Sequence, residues 1–242
     1  MNLMTVARLR SLNKQFYQTF GYEFSSTRQR LQPGVMKVLD RLTGDESILD
    51  LGCGNGELAR ELMRRGHRGR YTGLDFSPPL LEVARQGWED SPATFLKVDL
   101  SSANWAKHIK ADLHLPFNWC TAFAVLHHIP GFEARVKILQ KVHEVLQTGG
   151  LFIHSEWQFL ESEKLKSRIQ PWALVGIESK DVDPNDYLLD WRSGGRGLRY
   201  VHHFDEMELI GMAGESNFRV METFRSDGLN GLLGLYQVWE AL

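Results

Sequence analysis

Hydrophobic and polar positions alternate between two rhythms along this chain. From about residue 48 onward, short apolar runs of strand length are separated by stretches of helical periodicity, the pattern of a parallel sheet covered by helices. SILDLGC (47–53), RYTGLDF (70–76), TFLKVDL (94–100), FNWCTAFAVLHHI (117–129) and GLFIHSEW (150–157) read as five strands. GELARELMRRG (56–66) reads as a helix opened by glycines, and Ser77 as the cap of a helix whose first turn tolerates Pro78 and Pro79. FEARVKILQKVHEVLQ (132–147) is amphipathic, begins after Pro130-Gly131, and should be stopped by Gly149-Gly150.

Two stretches lie outside that rhythm. The N-terminal segment reads as two helices joined by FGYEFSSTRQRLQPG (20–34). The stretch after the fifth strand is mixed, with Trp172, Tyr187, Trp191 and Tyr200 and the glycine-rich RSGGRG (192–197), so these aromatics divide between core and substrate wall. Asp205 and Glu208 then form a capping box for a helix to about residue 216. FRVMETF (218–224) and GLYQVWE (234–240) close the chain as a strand pair. One domain is expected, with an N-terminal cover (1–43), a core (44–157), an insertion or lid (158–203) and a closing helix and strand pair (204–242).

A length of 242 residues is enough to bury a large α/β core. Lys and Arg number 28 against 30 Asp and Glu, which excludes a broad basic coat for non-specific nucleic-acid binding but not a local patch. No run approaches the roughly 18 apolar residues that span a bilayer, and the opening MNLMTVARLRSLNKQFYQTF has no continuous apolar stretch, so a cytoplasmic protein is expected. The two cysteines, Cys53 and Cys120, are too few for a disulfide scaffold and sit in apolar strands, where they read as small core residues.

The strongest chemical signal is ILDLGCGNGEL, a strand followed by Gly52-x-Gly54-x-Gly56 and a helix. Glycines there let the backbone turn tightly and let a ligand approach without a Cβ in the way. Asp50 lies in the same strand, and ligands of open α/β sheets bind at the carboxyl ends of strands. A dinucleotide fingerprint would place its third glycine where Glu57 stands, and that carboxylate at a helix start would repel a pyrophosphate. A nucleoside without phosphates meets no such objection. Asp75 ends the next strand, at the distance onward where a ribose-binding carboxylate belongs, and Asp99 ends the one after it.

Taken together, ILDLGCGNG, TGLDFS, FLKVDL and FAVLHHIPG resemble the class I S-adenosylmethionine-dependent methyltransferases over about residues 45–157. The resemblance implies a Rossmann-like, doubly wound, mainly parallel seven-stranded α/β sheet with helices on both faces, an N-terminal helical lid and an insertion after strand five. It also implies S-adenosyl-L-methionine as cofactor. On that likeness Gly52, Cys53, Gly54, Gly56 and Asp50 cradle the methionine end, and Asp75 holds the ribose with Phe76 and Ser77 beside it. Asp99 and Leu100 meet adenine, and Ala122, Phe123 and Leu126 line the methyl-donor pocket. More narrowly, FSSTR (24–28), RYVHHF (199–204), SEW (155–157) and Pro171-Trp172 resemble the wobble-uridine tRNA methyltransferases that esterify a carboxymethyl group, and related bacterial methyltransferases. The substrate implied is tRNA or a small molecule, with a small activating partner protein. A non-catalytic cofactor-binding subunit is the reading that the complete glycine loop and both acids oppose.

The sulfonium of that cofactor is already a strong electrophile, so catalysis rests largely on positioning for in-line transfer. A carboxylate nucleophile needs no base but needs cations to hold it, which Arg28, Arg199 or His202 could supply. A neutral hydroxyl or amine would instead favour His127 as base. His127 and His128 on an extended chain would point to opposite sides, which argues against a shared metal, and packing is the alternative for either. Arg192, Arg196, Arg199, His202 and His203 form the one dense basic cluster, either a solvated loop or an anion site. Arg28 is expected in the active site, brought there by the N-terminal helices, to neutralise the cofactor's carboxylate or an anionic substrate.

Overall fold

A computed structural model describes residues 1–88, 93–102, 105–106, 109 and 116–242. The apolar run Ile48–Leu51 forms β1, buried at every position because neighbours lie on both sides and both faces. It pairs in parallel with β2 (Tyr71–Asp75) on one side and with β4 (Phe117–Phe123) on the other. β3 (Ala93–Lys97) adds beyond β2, and β5 (Leu146–Trp157) beyond β4. The sheet of seven runs β3-β2-β1-β4-β5-β10-β9, with β9 (Phe218–Ser226) and β10 (Gly234–Ala241) the antiparallel edge. Strand order reverses between β1 and β4, where open α/β sheets bind their ligands.

Helices cover both faces. α2 (Pro33–Leu39), α3 (Glu57–Arg64) and α4 (Pro78–Ala84) pack on one, burying Val38, Leu62 and Leu81 against Ile48, Tyr71 and Ile153. α5 (Phe132–Val145) packs on the other with a helix near the C-terminus, where Leu139 and Met212 meet Leu49 and Phe152. A short helix α6 (Glu163–Lys166) leads to a second, antiparallel sheet: β6 (Ile169–Gln170), β7 (Asp186–Trp191) and β8 (Gly197–His202). α7 (Glu206–Glu215) follows, with the Asp205 carboxylate accepting the Glu208 N–H at 2.8 Å as its capping residue. No helix among the described residues is long and apolar enough to cross a membrane.

The N-terminal segment departs from expectation. α1 runs Leu3–Ser26, through residues read as a connector, with one irregular residue at Phe20 (φ −110°, ψ 16°). Its buried stripe, Leu9, Asn13, Phe16 and Tyr17, follows helical spacing and packs on Trp191, Leu80 and Tyr200. Two further boundaries move, and one cap bonds differently. β4 ends at Phe123, because Ala124 takes a left-handed φ of 58° and a 3-10 turn follows at Leu126–His128. α5 passes directly into β5 at Leu146, ahead of the glycines, with Gly149 (φ 73°) inside the strand instead of terminating the helix. Ser77 does sit at the N-cap of α4, but its hydroxyl donates to the Tyr17 carbonyl (3.1 Å) rather than capping the helix.

Candidate active site

A cavity of about 710 Å³ opens at the carboxyl ends of β1 to β4, roofed by α1 and β8. Its acids come from strand ends. Asp50 is buried in β1, where the Tyr71 hydroxyl (2.6 Å) and the Thr121 hydroxyl (2.7 Å) donate to it. Asp75 accepts the backbone N–H of Gly54 at 3.0 Å on one oxygen and that of Ser77 at 2.8 Å on the other, which ties the glycine loop to the end of β2. Burial outweighs these donors and pushes each carboxyl up to about 6. Asp99 is half-buried and accepts the Ser101 N–H at 2.9 Å.

The loop between β1 and α3 holds three glycines at positive φ. A Cβ at Gly52 would strike Val125 at 2.6 Å, and one at Gly56 would press on Ala84 and Phe95 at 3.1–3.3 Å. A Cβ at Gly54 would stand free, with only the Gly52 carbonyl oxygen at 4.0 Å, so here bare backbone faces open space. Asn55 then ties this loop to the end of α1 by donating to Ser25 Oγ and to the Arg28 carbonyl, both at 3.1 Å.

The cations come from the roof. Arg28 follows α1, lies 3.6 Å above the Phe24 ring and makes no ion pair among the described residues. Arg28 is solvent-exposed at the cavity mouth; partial desolvation by nearby protein atoms and the Arg199 charge lower its pKa to about 10, so it stays cationic at neutral pH. Arg199, on β8, is only 4% exposed, and no carboxylate among the described residues pairs with it. Its guanidinium carbon lies 5.0–5.7 Å from the Trp157, Phe16 and Trp191 rings, and its Nε has no hydrogen-bond partner.

Histidines line the adjoining wall. His128 Nδ1 lies 3.2 Å from the Tyr200 carbonyl, which can only accept, so that nitrogen carries the proton and Nε2 accepts from the Tyr17 hydroxyl at 2.8 Å. Burial and Arg199 drive its pKa to about 3. His127 Nδ1 meets Glu156 at 2.9 Å. The two rings lie 4.4 Å apart in the 3-10 turn, not on opposite sides of an extended chain as their sequence suggested. Among the described residues no group of His, Cys, Asp or Glu is arranged to hold a metal ion.

Of the residues singled out from sequence, Arg28, Asp50, Gly52, Cys53, Gly54, Asp75, Phe76, Asp99, Leu100, Phe123, His127 and Arg199 line this cavity. Five do not. Gly56 starts α3 beneath the loop, and Ser77 is fully buried behind Asp75. Ala122 and Leu126 have no exposure and belong to the core below. His202 is also misplaced as a catalytic group: its ring is fixed between Asp186 (2.7 Å) and Glu208 (2.9 Å), beside buried Arg135, away from the cavity. The expected basic cluster disperses accordingly, with exposed Arg192 paired to Asp190. None of Trp172, Tyr187, Trp191 and Tyr200 reaches the cavity wall, which Trp157 supplies instead. Sequence reasoning missed Tyr17, His128, Glu156 and Trp157 as lining residues.

Residues 48–150 match the family model described as a methyltransferase domain. A protein of Encephalitozoon cuniculi that carries a methyltransferase name is 28% identical over 215 residues, 86% of this chain and 87% of that one. The tRNA (carboxymethyluridine(34)-5-O)-methyltransferase of Macaca fascicularis is 28% identical over 159 residues, 64% of this chain but 21% of its own length, so this chain spans about a fifth of that relative. An S-adenosylmethionine-dependent methyltransferase of Methanosarcina mazei superposes with a TM-score of 0.64 at 22% identity, over 88% of this chain and 98% of that one. A chain from a Haloferax volcanii complex between the Trm112 methyltransferase activator and a methyltransferase reaches 0.66 at 15% identity, over 94% and 96%. At those identities the two structures speak for a shared fold.

Proposed function

We propose that this chain is an S-adenosylmethionine-dependent methyltransferase and that it methylates a carboxylate, the carboxymethyl group of a tRNA wobble uridine, by in-line transfer. The observation that carries this reading is Arg199. A guanidinium buried without a counter-charge is costly, and such a group on a cavity wall supports an anionic ligand as the missing partner. The similarity to the macaque tRNA enzyme supports the same acceptor chemistry.

The residues present fit the cofactor: open backbone at Gly54, two strand-end acids and a roof bearing arginine. Bound S-adenosylmethionine supplies an electrophilic methyl group on a sulfonium. Asp75, fixed by the Gly54 and Ser77 amides, would accept from ribose hydroxyls, and half-buried Asp99 from the adenine amino group. Gly52, Cys53 and Gly54 would pass the methionine end, and Arg28 would pair bidentately with its carboxylate or with the acceptor. Arg199 would hold the acceptor carboxylate with both oxygens toward the cavity. The aromatic walls keep water from the reacting atoms. A carboxylate is ionised at neutral pH, so no residue has to remove a proton from it.

A neutral hydroxyl or amine of a small metabolite is the competing acceptor, favoured by a net charge of −2, unusual for a protein that grips tRNA through its phosphates. Labelled S-adenosylmethionine incubated with bulk tRNA and, separately, with a metabolite extract decides between them. Label in tRNA that mild base releases, as it releases a methyl ester, is the expected result. Label only in the metabolite extract overturns the tRNA reading. A small activating partner belongs to the same proposal, supported by the Haloferax volcanii neighbour, and should raise turnover on co-expression. So does action in the cytoplasm, where tRNA is met.

A further inference from the structure

Glu156 ends the buried run Phe152–Glu156 of β5 on the cavity wall, 1% exposed, and several polar contacts converge on it. Its Oε1 lies 3.1 Å from His154 Nδ1. Its Oε2 accepts the backbone N–H of His127 at 3.2 Å and lies 2.9 Å from His127 Nδ1. Among the described residues no Lys or Arg forms an ion pair with it, Arg135 and Glu208 being the charged groups that act on it from farther off, in opposite directions.

Where the protons sit follows from the donors whose hydrogens the backbone fixes. The Trp157 N–H points at His127 Nδ1, 3.4 Å away. A ring nitrogen that accepts an N–H presents its lone pair there and does not carry the proton. With Nδ1 bare, its single lone pair is shared between the long Trp157 N–H contact and, at the shorter 2.9 Å, a hydrogen on the Glu156 carboxyl. The other carboxyl oxygen faces His154, whose Nε2 is buried without a partner, and an orphaned N–H is rarer in protein interiors than an orphaned acceptor. The His154 proton therefore sits on Nδ1 and is donated to Oε1. Burial works the same way on all three groups, raising Glu156 well above the usual carboxyl range, lowering His127 well below the usual imidazole range, and taking His154 to about 3. For His127, the neighbouring His128, Arg199, His202 and Arg135 add to that lowering.

We propose that Glu156 is a positioning residue that keeps its proton and donates it to His127 Nδ1, so that His127 meets the cavity with an Nε2–H donor. That nitrogen has no partner among the described residues, and His127 is one of the residues lining the cavity. The proposal rests on the carboxylate reading above and sharpens it. A neutral N–H hydrogen-bonds an acceptor oxygen and cannot take a proton from a hydroxyl or amine, so this wall selects nucleophiles that arrive already ionised. Glu156 thus has the opposite duty to the carboxylate of a catalytic triad, which stays ionised and leaves the histidine a base.

Nitrogen-15 NMR of the uniformly labelled full-length chain tests this without cofactor or acceptor, with His127 assigned by loss of its signals in His127→Gln. The expected spectrum shows the proton on Nε2 and a pyridine-type Nδ1 throughout about pH 6–8, where an ordinary histidine titrates. A proton on Nδ1, or an imidazolium in that range, overturns the proposal. Glu156→Gln offers an amide N–H to Nδ1 and should keep the Nε2–H tautomer, whereas Glu156→Ala removes that donor and should let the proton distribute over both ring nitrogens, the ring staying neutral because burial and the neighbouring cations remain. A folded Glu156→Gln whose His127 proton has moved to Nδ1 also overturns it. None of these spectra depends on the acceptor, so failure of the labelled-tRNA assay would leave them standing, and the reverse.

Discussion

Replacing Arg199 by Met should make the empty protein more stable and the enzyme worse. Burying a guanidinium without a counter-ion costs several kcal/mol even after relaxation. The three aromatic faces at 5.0–5.7 Å return about 0.5–1 kcal/mol each, which leaves a net cost of about 1–2 kcal/mol in the ligand-free state. Met keeps the length and the contact with those rings but carries no charge. Its apo Tm should therefore rise by about 2–8 °C for a chain of this size. Turnover should fall by one to two orders of magnitude, since a charge-assisted hydrogen bond to the acceptor is worth about 1.5–3 kcal/mol. Arg135 is the control, equally buried but paired with Glu208 at 3.0 Å and close to Asp186 at 3.8 Å. Arg135→Met strands both carboxylates and should cost about 3–5 kcal/mol. Thermal unfolding without ligand, alongside transfer of labelled methyl to tRNA, reads both effects. If Arg199→Met loses stability as Arg135→Met does, or keeps full turnover, Arg199 is structural and the anion site falls.

Arg28→Ala should cost tenfold or more in turnover or cofactor affinity while leaving the apo Tm nearly unchanged, because the side chain packs only on Phe24 and bonds Thr27; calorimetry and thermal unfolding check it. Asp75→Ala should weaken S-adenosylhomocysteine by about 1–3 kcal/mol in calorimetry and, by freeing the Gly54 and Ser77 amides, should also lower the apo Tm. Asp50 and Asp75 sit at about 6 in the folded chain, so between about pH 4 and 6 the folded state holds protons that the unfolded state has released. That stabilisation is present in acid and lost as pH rises through about 6; Asp50→Asn should flatten the Tm profile over this range, and an unchanged profile would contradict the assignment. NAD should give no thermal shift at millimolar concentration, because Glu57 occupies the helix start that a pyrophosphate would need.

The strand-end side of the cavity lining was legible because it is local. A strand, three glycines and a helix follow one another in sequence, and Asp75 and Asp99 mark the ends of the next two strands. Arg28 and Arg199, which line the same cavity, were singled out through short sequence likenesses, not through periodicity. His202 was misread because the sequence does not show which side of β8 it faces; one residue beyond Val201, it turns toward Asp186 and Glu208. Two signals were available and unused. Asn13 breaks an otherwise apolar helical stripe, and it does so because its side chain donates to the His128 and Tyr200 carbonyls and accepts the Tyr200 N–H. Glu156 follows His154 and Ser155 in the buried run Phe152–Glu156 of β5, and consecutive polar residues in such a place need partners that only tertiary structure supplies. The direct passage from α5 into β5 at Leu146 could not be read, since Gly149 and Gly150, three and four residues later, offered a more familiar stop.

The bond between Asn13 and Tyr200 also has a consequence for how the chain is made. The two residues are 187 apart in sequence, whereas the acids and glycines on the strand-end side of the cavity all lie between residues 50 and 99. At about 5–20 residues per second, a ribosome needs on the order of 10–40 s to travel from one partner to the other. During that interval α1 has already emerged with its stripe of Leu9, Phe16 and Tyr17, but Trp191 and Tyr200, against which those side chains pack, do not yet exist. An apolar helix kept waiting so long is a natural client for a chaperone. Nascent chains arrested before and after β8 should therefore differ in protease sensitivity at α1 while β1 and β2 are protected in both.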